Sequence, residues 1–86
     1  MKSRVAVVDD DDLLRDTLVD YLSSQGFEVI GLESGDALRG AISKASPECV
    51  ILDLVMPEED GLSVLRWLRG VSQVPVIMLT SADGPA

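Results

Sequence analysis

Four short apolar runs, separated by three stretches with helical spacing, limit what this chain can fold into. Val5-Ala6-Val7-Val8, Phe27 to Leu32, Cys49-Val50-Ile51-Leu52 and Val74 to Leu79 read as strands. The first is a continuous β-branched run rather than an alternating one, and Cys49 to Leu52 is likewise unbroken. Such runs suit strands buried on both faces of a parallel sheet. Between the first two runs, Leu14, Leu18, Tyr21 and Leu22 share one helical face, and Gly26 stands where a helix would stop. Ser34 can cap a second helix with the stripe Leu38, Ala41, Ile42 and Ala45, and Pro47 follows its end. Leu62, Leu65 and Leu68 predict the inward face of a third helix, which Gly70 stops. Pro75 sits at the start of the fourth strand, where a missing N–H does least harm. The order βαβαβαβ predicts an α/β fold with a mostly parallel, doubly wound sheet and right-handed crossovers.

Charge and composition narrow the function. The 86 residues predict one small domain, and 47% apolar content permits a core. A chain of this size buries only about 60–65% of its unfolded surface. Seven basic against fifteen acidic residues give a net charge of −8, which opposes direct binding to nucleic-acid phosphates. The absence of histidine removes imidazole catalysis and histidine-ligated zinc. One cysteine, Cys49, allows no internal disulfide and fits a reducing compartment. The uncharged run Val71 to Ala82 is too short to cross a bilayer. No signal-peptide layout precedes Asp9. The expectation is a soluble, cytoplasmic chain with no membrane contact.

Open α/β sheets bind ligands beyond the carboxyl ends of their strands. Asp9, Asp10, Asp11 and Asp12 follow the first strand, Asp53 the third, and Thr80 and Ser81 the fourth. Two carboxylates about 5 Å apart repel by roughly 3 kcal/mol at an effective dielectric near 20. Clustering Asp9, Asp10 and Asp53 therefore calls for a cation or a proton among them. Hard oxygen ligands suit Mg²⁺ or Mn²⁺. Such an ion beside a carboxylate suits phosphoryl transfer to that carboxylate. The Thr80 hydroxyl and nearby backbone N–H groups can donate to phosphoryl oxygens.

Three segments carry a family resemblance. Val7-Val8-Asp9-Asp10-Asp11, the nine residues Asp53-Leu54-Val55-Met56-Pro57-Glu58-Glu59-Asp60-Gly61, and Met78-Leu79-Thr80-Ser81-Ala82 resemble the motifs of the receiver domain of bacterial two-component response regulators. The middle segment matches the pattern D-x-x-M-P-x-x-D-G and is the most specific. The resemblance spans Arg4 to Ala82 and implies a flavodoxin-like sheet with strand order 2-1-3-4. It implies Asp53 as phosphoacceptor and Asp10 as the main acidic Mg²⁺ ligand. Asp9 would bind the ion through water, the Val55 backbone carbonyl would be a further ligand, and Thr80 would be the switch hydroxyl. The implied donor is a phosphohistidine on a sensor histidine kinase, necessarily another molecule.

The same resemblance implies a fifth strand bearing a lysine, a switch aromatic, and further helices. The only lysines are Lys2 and Lys44, and no aromatic follows Trp67. The expectation is a receiver incomplete after its fourth strand, with the output domain elsewhere. An open fourth-strand edge would then favour self-association through Val76 to Leu79. Two alternatives remain at this point. Asp9-x-Asp11 with Thr80 also resembles a haloacid-dehalogenase-like Mg²⁺ phosphatase, although that reading leaves the Asp53 segment unexplained. An inactive half-domain is the other.

Structural roles account for the remaining residues. Asp11 or Asp12 caps the first helix, and Asp60-Gly61 makes a turn and a helix start. Glu58 and Glu59 read as solvated loop charges, with Glu58 within reach of a metal through water. Cys49 reads as a buried core residue and Trp67 as partly exposed packing. Arg66 and Arg69 read as solvated helix charges.

Overall fold

A computed structural model describes residues 2–79. Its elements are β1 (Arg4–Val8), α1 (Asp12–Ser24), β2 (Glu28–Leu32), α2 (Gly35–Ala45), β3 (Cys49–Asp53), α3 (Gly61–Val71) and β4 (Val76–Leu79). The strands form one sheet in the order β2-β1-β3-β4, and every pairing is parallel. This is the predicted flavodoxin-like arrangement. β1 lies between β2 and β3, so the chain turns one way after β1 and the other way after β2. The reversal places a crevice between the carboxyl ends of β1 and β3.

Burial explains why β1 lacks alternation: Val5 through Val8 are all buried. Ala6, Val8, Val50 and Leu52 share one sheet face by the two-residue period and pack with Leu38 of α2 and Val64 and Leu68 of α3. The opposite face receives α1, where Gly31 lies against Arg15 and Val19. Helices therefore cover both faces.

Local capping sets the helix starts. The Asp11 side chain accepts the Leu14 N–H, that of Ser34 the Ala37 N–H, and that of Asp60 the Ser63 N–H. Of the two candidates for α1, Asp11 is the cap and Asp12 opens the first turn. Ser46 closes α2 in the left-handed region, at φ 46°, just before Pro47.

Two helix faces differ from the periodicity. In α3 the buried residues are Gly61, Val64 and Leu68, while Leu62 is 53% exposed. The stripe is rotated because Gly61, not Leu62, is pressed against the end of β3. In α1 no residue is fully buried, and Tyr21 is 61% exposed. Leu18 and Leu22 are half-buried, so the predicted stripe is covered along one flank only. Two strand boundaries also shift: β2 begins at Glu28 rather than Phe27, and β4 at Val76 rather than Val74. Val74 is nevertheless buried in the core.

Candidate functional site

Asp9 leaves the end of β1, and its backbone N–H still donates to the Leu32 carbonyl at 3.0 Å. This last ladder bond holds the residue at the sheet edge with its side chain completely buried. Its Oδ1 accepts the Asp11 N–H at 2.9 Å, whereas its buried Oδ2 has no hydrogen-bond partner. Asp53 ends β3, half-buried, and its Oδ1 accepts the Val55 N–H at 3.1 Å. Asp10 is exposed beside them. One carboxylate oxygen from each of Asp9, Asp10 and Asp53 lies within 4.8 Å of the others. The crevice between β1 and β3 thus gathers three acids that are separated by up to 44 positions in sequence, counted from Asp9 to Asp53.

The electrostatics show what such a cluster requires. Burial pushes the Asp9 carboxyl above its ordinary range, the Asp11 N–H pulls the other way, and the negative charge of Asp53 pushes it further up. The orphaned Oδ2 is the structural expression of the same strain: a buried anionic oxygen without a donor is costly. A hard divalent cation fits this donor set, because carboxylate and carbonyl oxygens with water are the ligands Mg²⁺ prefers. Arg15 does not neutralise the trio's carboxylates. Its Nη1 donates to the Asp9 backbone carbonyl at 2.9 Å and its Nη2 to Asp12 at 2.6 Å. It fixes the Asp9 backbone and leaves the carboxylate free.

The segment after Asp53 turns sharply back on itself. The Gly61 N–H donates to the Leu54 carbonyl at 2.8 Å. A Cβ at Gly61 would stand 2.7 Å from Leu54 Cα and closer still to the Asp53 carbonyl oxygen, so only glycine fits. Met56 is buried in the core while Val55 is 66% exposed, which leaves the Val55 backbone on the outer turn beside the acids. β4 runs alongside: Leu79 is in register with Asp53, and the Leu54 N–H donates to the Leu79 carbonyl at 3.0 Å. Thr80 and Ser81 lie outside the described residues.

Residues 5–86 match the response regulator receiver domain family. The chain belongs to that family. Among curated relatives, the receiver is 38% identical over 85 residues to the transcriptional regulatory protein GltR of Pseudomonas aeruginosa, covering 95% of this chain and 35% of that protein. It is 38% identical over 81 residues to the DNA-binding response regulator MtrA of Mycolicibacterium smegmatis, covering 94% and 36%. The chain thus spans about a third of the length of these curated relatives. Among solved structures, the BeF3-activated N-terminal receiver domain of Klebsiella pneumoniae RstA superposes with a TM-score of 0.87 at 32% identity, covering 95% of this chain and 70% of that one. The chemotaxis protein CheY4 of Vibrio cholerae gives 0.88 at 30% identity, covering 99% and 73%.

In this receiver, two arginine roles escaped the sequence reading. Arg15 gave no signal beyond its place one turn into α1. Arg39 pairs with Glu59, twenty positions away, so Glu59 is not the solvated charge expected of it. Arg69 also departs from expectation, since it donates to the carbonyls of Ser72 and Val74 and closes the end of α3. Cys49 is half-buried rather than a full core residue, and burial raises its thiol. Trp67 is partly exposed packing, as expected, and lies against the core. No described helix is long and apolar enough to cross a membrane.

Proposed function

We propose that this receiver of a two-component system accepts a phosphoryl group on Asp53 with Mg²⁺ as cofactor. The observation that carries the reading is the convergence of Asp9, Asp10 and Asp53 within 4.8 Å around a buried oxygen that lacks a partner. Asp10 and Asp53, with the Val55 backbone carbonyl, would hold the ion, and Asp9 would bind it through water. The bound ion supplies charge neutralisation for the phosphoryl oxygens. An Asp53 carboxylate oxygen attacks the phosphorus of a phosphohistidine on a sensor histidine kinase. The P–O bond to Asp53 forms as the P–N bond to the kinase imidazole breaks, and that nitrogen keeps the electron pair. The Thr80 hydroxyl donates to a phosphoryl oxygen as the switch contact. Acceptance is a single self-catalysed event, not turnover of a substrate. The phosphorylated state would be read by an output segment outside these 86 residues, in the cytoplasm. Pairing of β4 with a second copy is the self-association attached to this reading, and a monomer by light scattering at high concentration removes it.

Family membership leaves the haloacid-dehalogenase-like alternative without support. The test is titration of the chain with beryllofluoride and Mg²⁺, followed by NMR at the amides of Asp53, Leu54 and Val55. Saturable shifts that vanish in D53A are expected. Their absence at millimolar Mg²⁺ overturns the phosphoacceptor reading.

A further inference from the structure

We propose that Arg39 and Glu59 form a latch between α2 and the β3–α3 loop that positions this loop for Mg²⁺. The inference rests on the phosphoacceptor reading above and assigns both residues as positioning residues. The contact is a fork: Arg39 Nη1 donates to Glu59 Oε1 at 2.8 Å and Nη2 to Oε2 at 2.7 Å. Bidentate pairing of this kind fixes orientation as well as distance. Asp36 accepts from the same Nη1 at 3.0 Å, and the guanidinium sits 5.2 Å from the centre of the Trp67 ring on α3. Arg39 is therefore held by α2, the loop and α3 together. The paired side chains are only 29% and 30% exposed, so water screens them less than an open surface pair.

The seat for Glu59 is built into the backbone. A Cβ at Gly35 would stand 2.7 Å from Glu59 Oε1 and 2.7 Å from Val64 Cγ2. Glycine at the first position of α2 lets the carboxylate approach. The Arg39 guanidinium holds the Glu59 carboxyl below its usual range, in keeping with a formed pair. The pair borders a polar cleft of about 800 Å³ that also takes in Asp10, so the latch and one member of the acid trio line the same cleft.

The loop needs such a tie. Glu58 and Glu59 bring two more negative charges into the cleft that Asp10 lines. Met56 anchors the middle of the loop in the core and Asp60 caps α3. Among the described residues, Arg39–Glu59 is the one side-chain hydrogen-bonded link from residues 54–59 to an element other than β3 or α3. Without it, Val55 would sample positions that do not serve the ion. Apparent affinity falls in proportion to the fraction of time the loop is competent.

Charge and geometry predict opposite signs for one substitution, which makes the latch testable. On charge alone, R39Q removes a cation near the acids and should tighten Mg²⁺ binding. As a latch, its loss should weaken binding about three- to tenfold, for a loop competent roughly a third to a tenth of the time. Mg²⁺ titrations followed at the Asp53 and Val55 amides would be run on the parent chain, R39Q, R39K and D36N. R39K keeps the charge and loses the fork, so it too should bind more weakly than the parent. D36N keeps an Oδ1 to accept from Arg39 Nη1 and leaves the Glu59 fork intact, so it should match the parent. Weaker binding in R39Q and R39K, with melting curves showing both folded, supports the latch. Binding equal to or tighter than the parent in R39K overturns it alone. Absence of saturable Mg²⁺ shifts in the parent overturns the phosphoacceptor reading and the latch with it. Should R39Q fail to fold, R39K decides.

Discussion

Asp53→Asn should make the chain more stable when Mg²⁺ is withheld, although it removes the proposed phosphoacceptor. The three acids of the crevice bring carboxylate oxygens within 4.8 Å of one another. Coulomb's law at an effective dielectric near 20 gives about 3 kcal/mol for two unit charges at that separation. Asp53 is half-buried and Asp10 exposed, so solvent and salt screen much of that figure. A gain of about 1–2 kcal/mol remains for removing the Asp53 charge. The asparagine keeps an Oδ1 to accept the Val55 N–H, so the local turn is retained. For a domain of this size each kcal/mol moves the melting temperature by about 4–8 °C. Thermal unfolding by circular dichroism at pH 7.5 in EDTA should place D53N above the parent by about 4–16 °C. Saturating Mg²⁺ stabilises the parent in proportion to the logarithm of one plus the ratio of free Mg²⁺ to its Kd, and should close or reverse the gap. D53N melting at or below the parent in EDTA refutes the claim that repulsion in the crevice destabilises the metal-free fold.

Gly61→Ala forces a Cβ onto the backbone of Asp53 and Leu54 and should cost about 2–3 kcal/mol, read as a lower urea midpoint. An unchanged midpoint would show that the turn after β3 tolerates a side chain. The pH dependence in EDTA should separate two kinds of carboxyl. Asp9 is raised above its ordinary 3.8, so between that value and its folded value the folded state binds more protons than the unfolded. Its contribution therefore becomes less favourable as pH rises through that window. D9N should be more stable than the parent at neutral pH, and the advantage should fade as pH falls toward 3.8. Glu59 and Asp60 are lowered from their ordinary 4.5 and 3.8 by Arg39 and by the Ser63 N–H respectively. Their stabilising contributions are full above those ordinary values and lost as pH falls through the lower folded ones. E59Q should therefore lose its deficit relative to the parent on acidification, and a pH-independent deficit counts against the pairing.

The alternation of β-branched runs with helical stripes dictated the element order, because burial on both faces of a strand and one face of a helix leaves different local patterns. The caps were legible for the same reason. Ser34 and Asp60 need only the N–H groups two or three residues ahead of them. The location of the acids was legible once the strands were, since Asp9, Asp10 and Asp53 all lie at strand ends and parallel strands point one way.

Other features depended on distances that no local pattern encodes. Leu62 has the spacing of a core residue, but the press of Gly61 against β3 rotates α3 and turns Val64 inward instead. Asp9 and Asp10 are adjacent in the chain and opposite in burial, which only their positions relative to the crevice decide. Arg39 and Glu59 meet because α2 and the β3–α3 loop flank the same cleft. Sequence alone thus determined the elements, their caps and the edge at which the acids emerge, all set by interactions within a few residues. Tertiary structure decided which helix faces are buried, which carboxylate oxygen is left without a partner, and which arginine meets which acid. Those outcomes depend on how elements far apart in the chain are packed against one sheet.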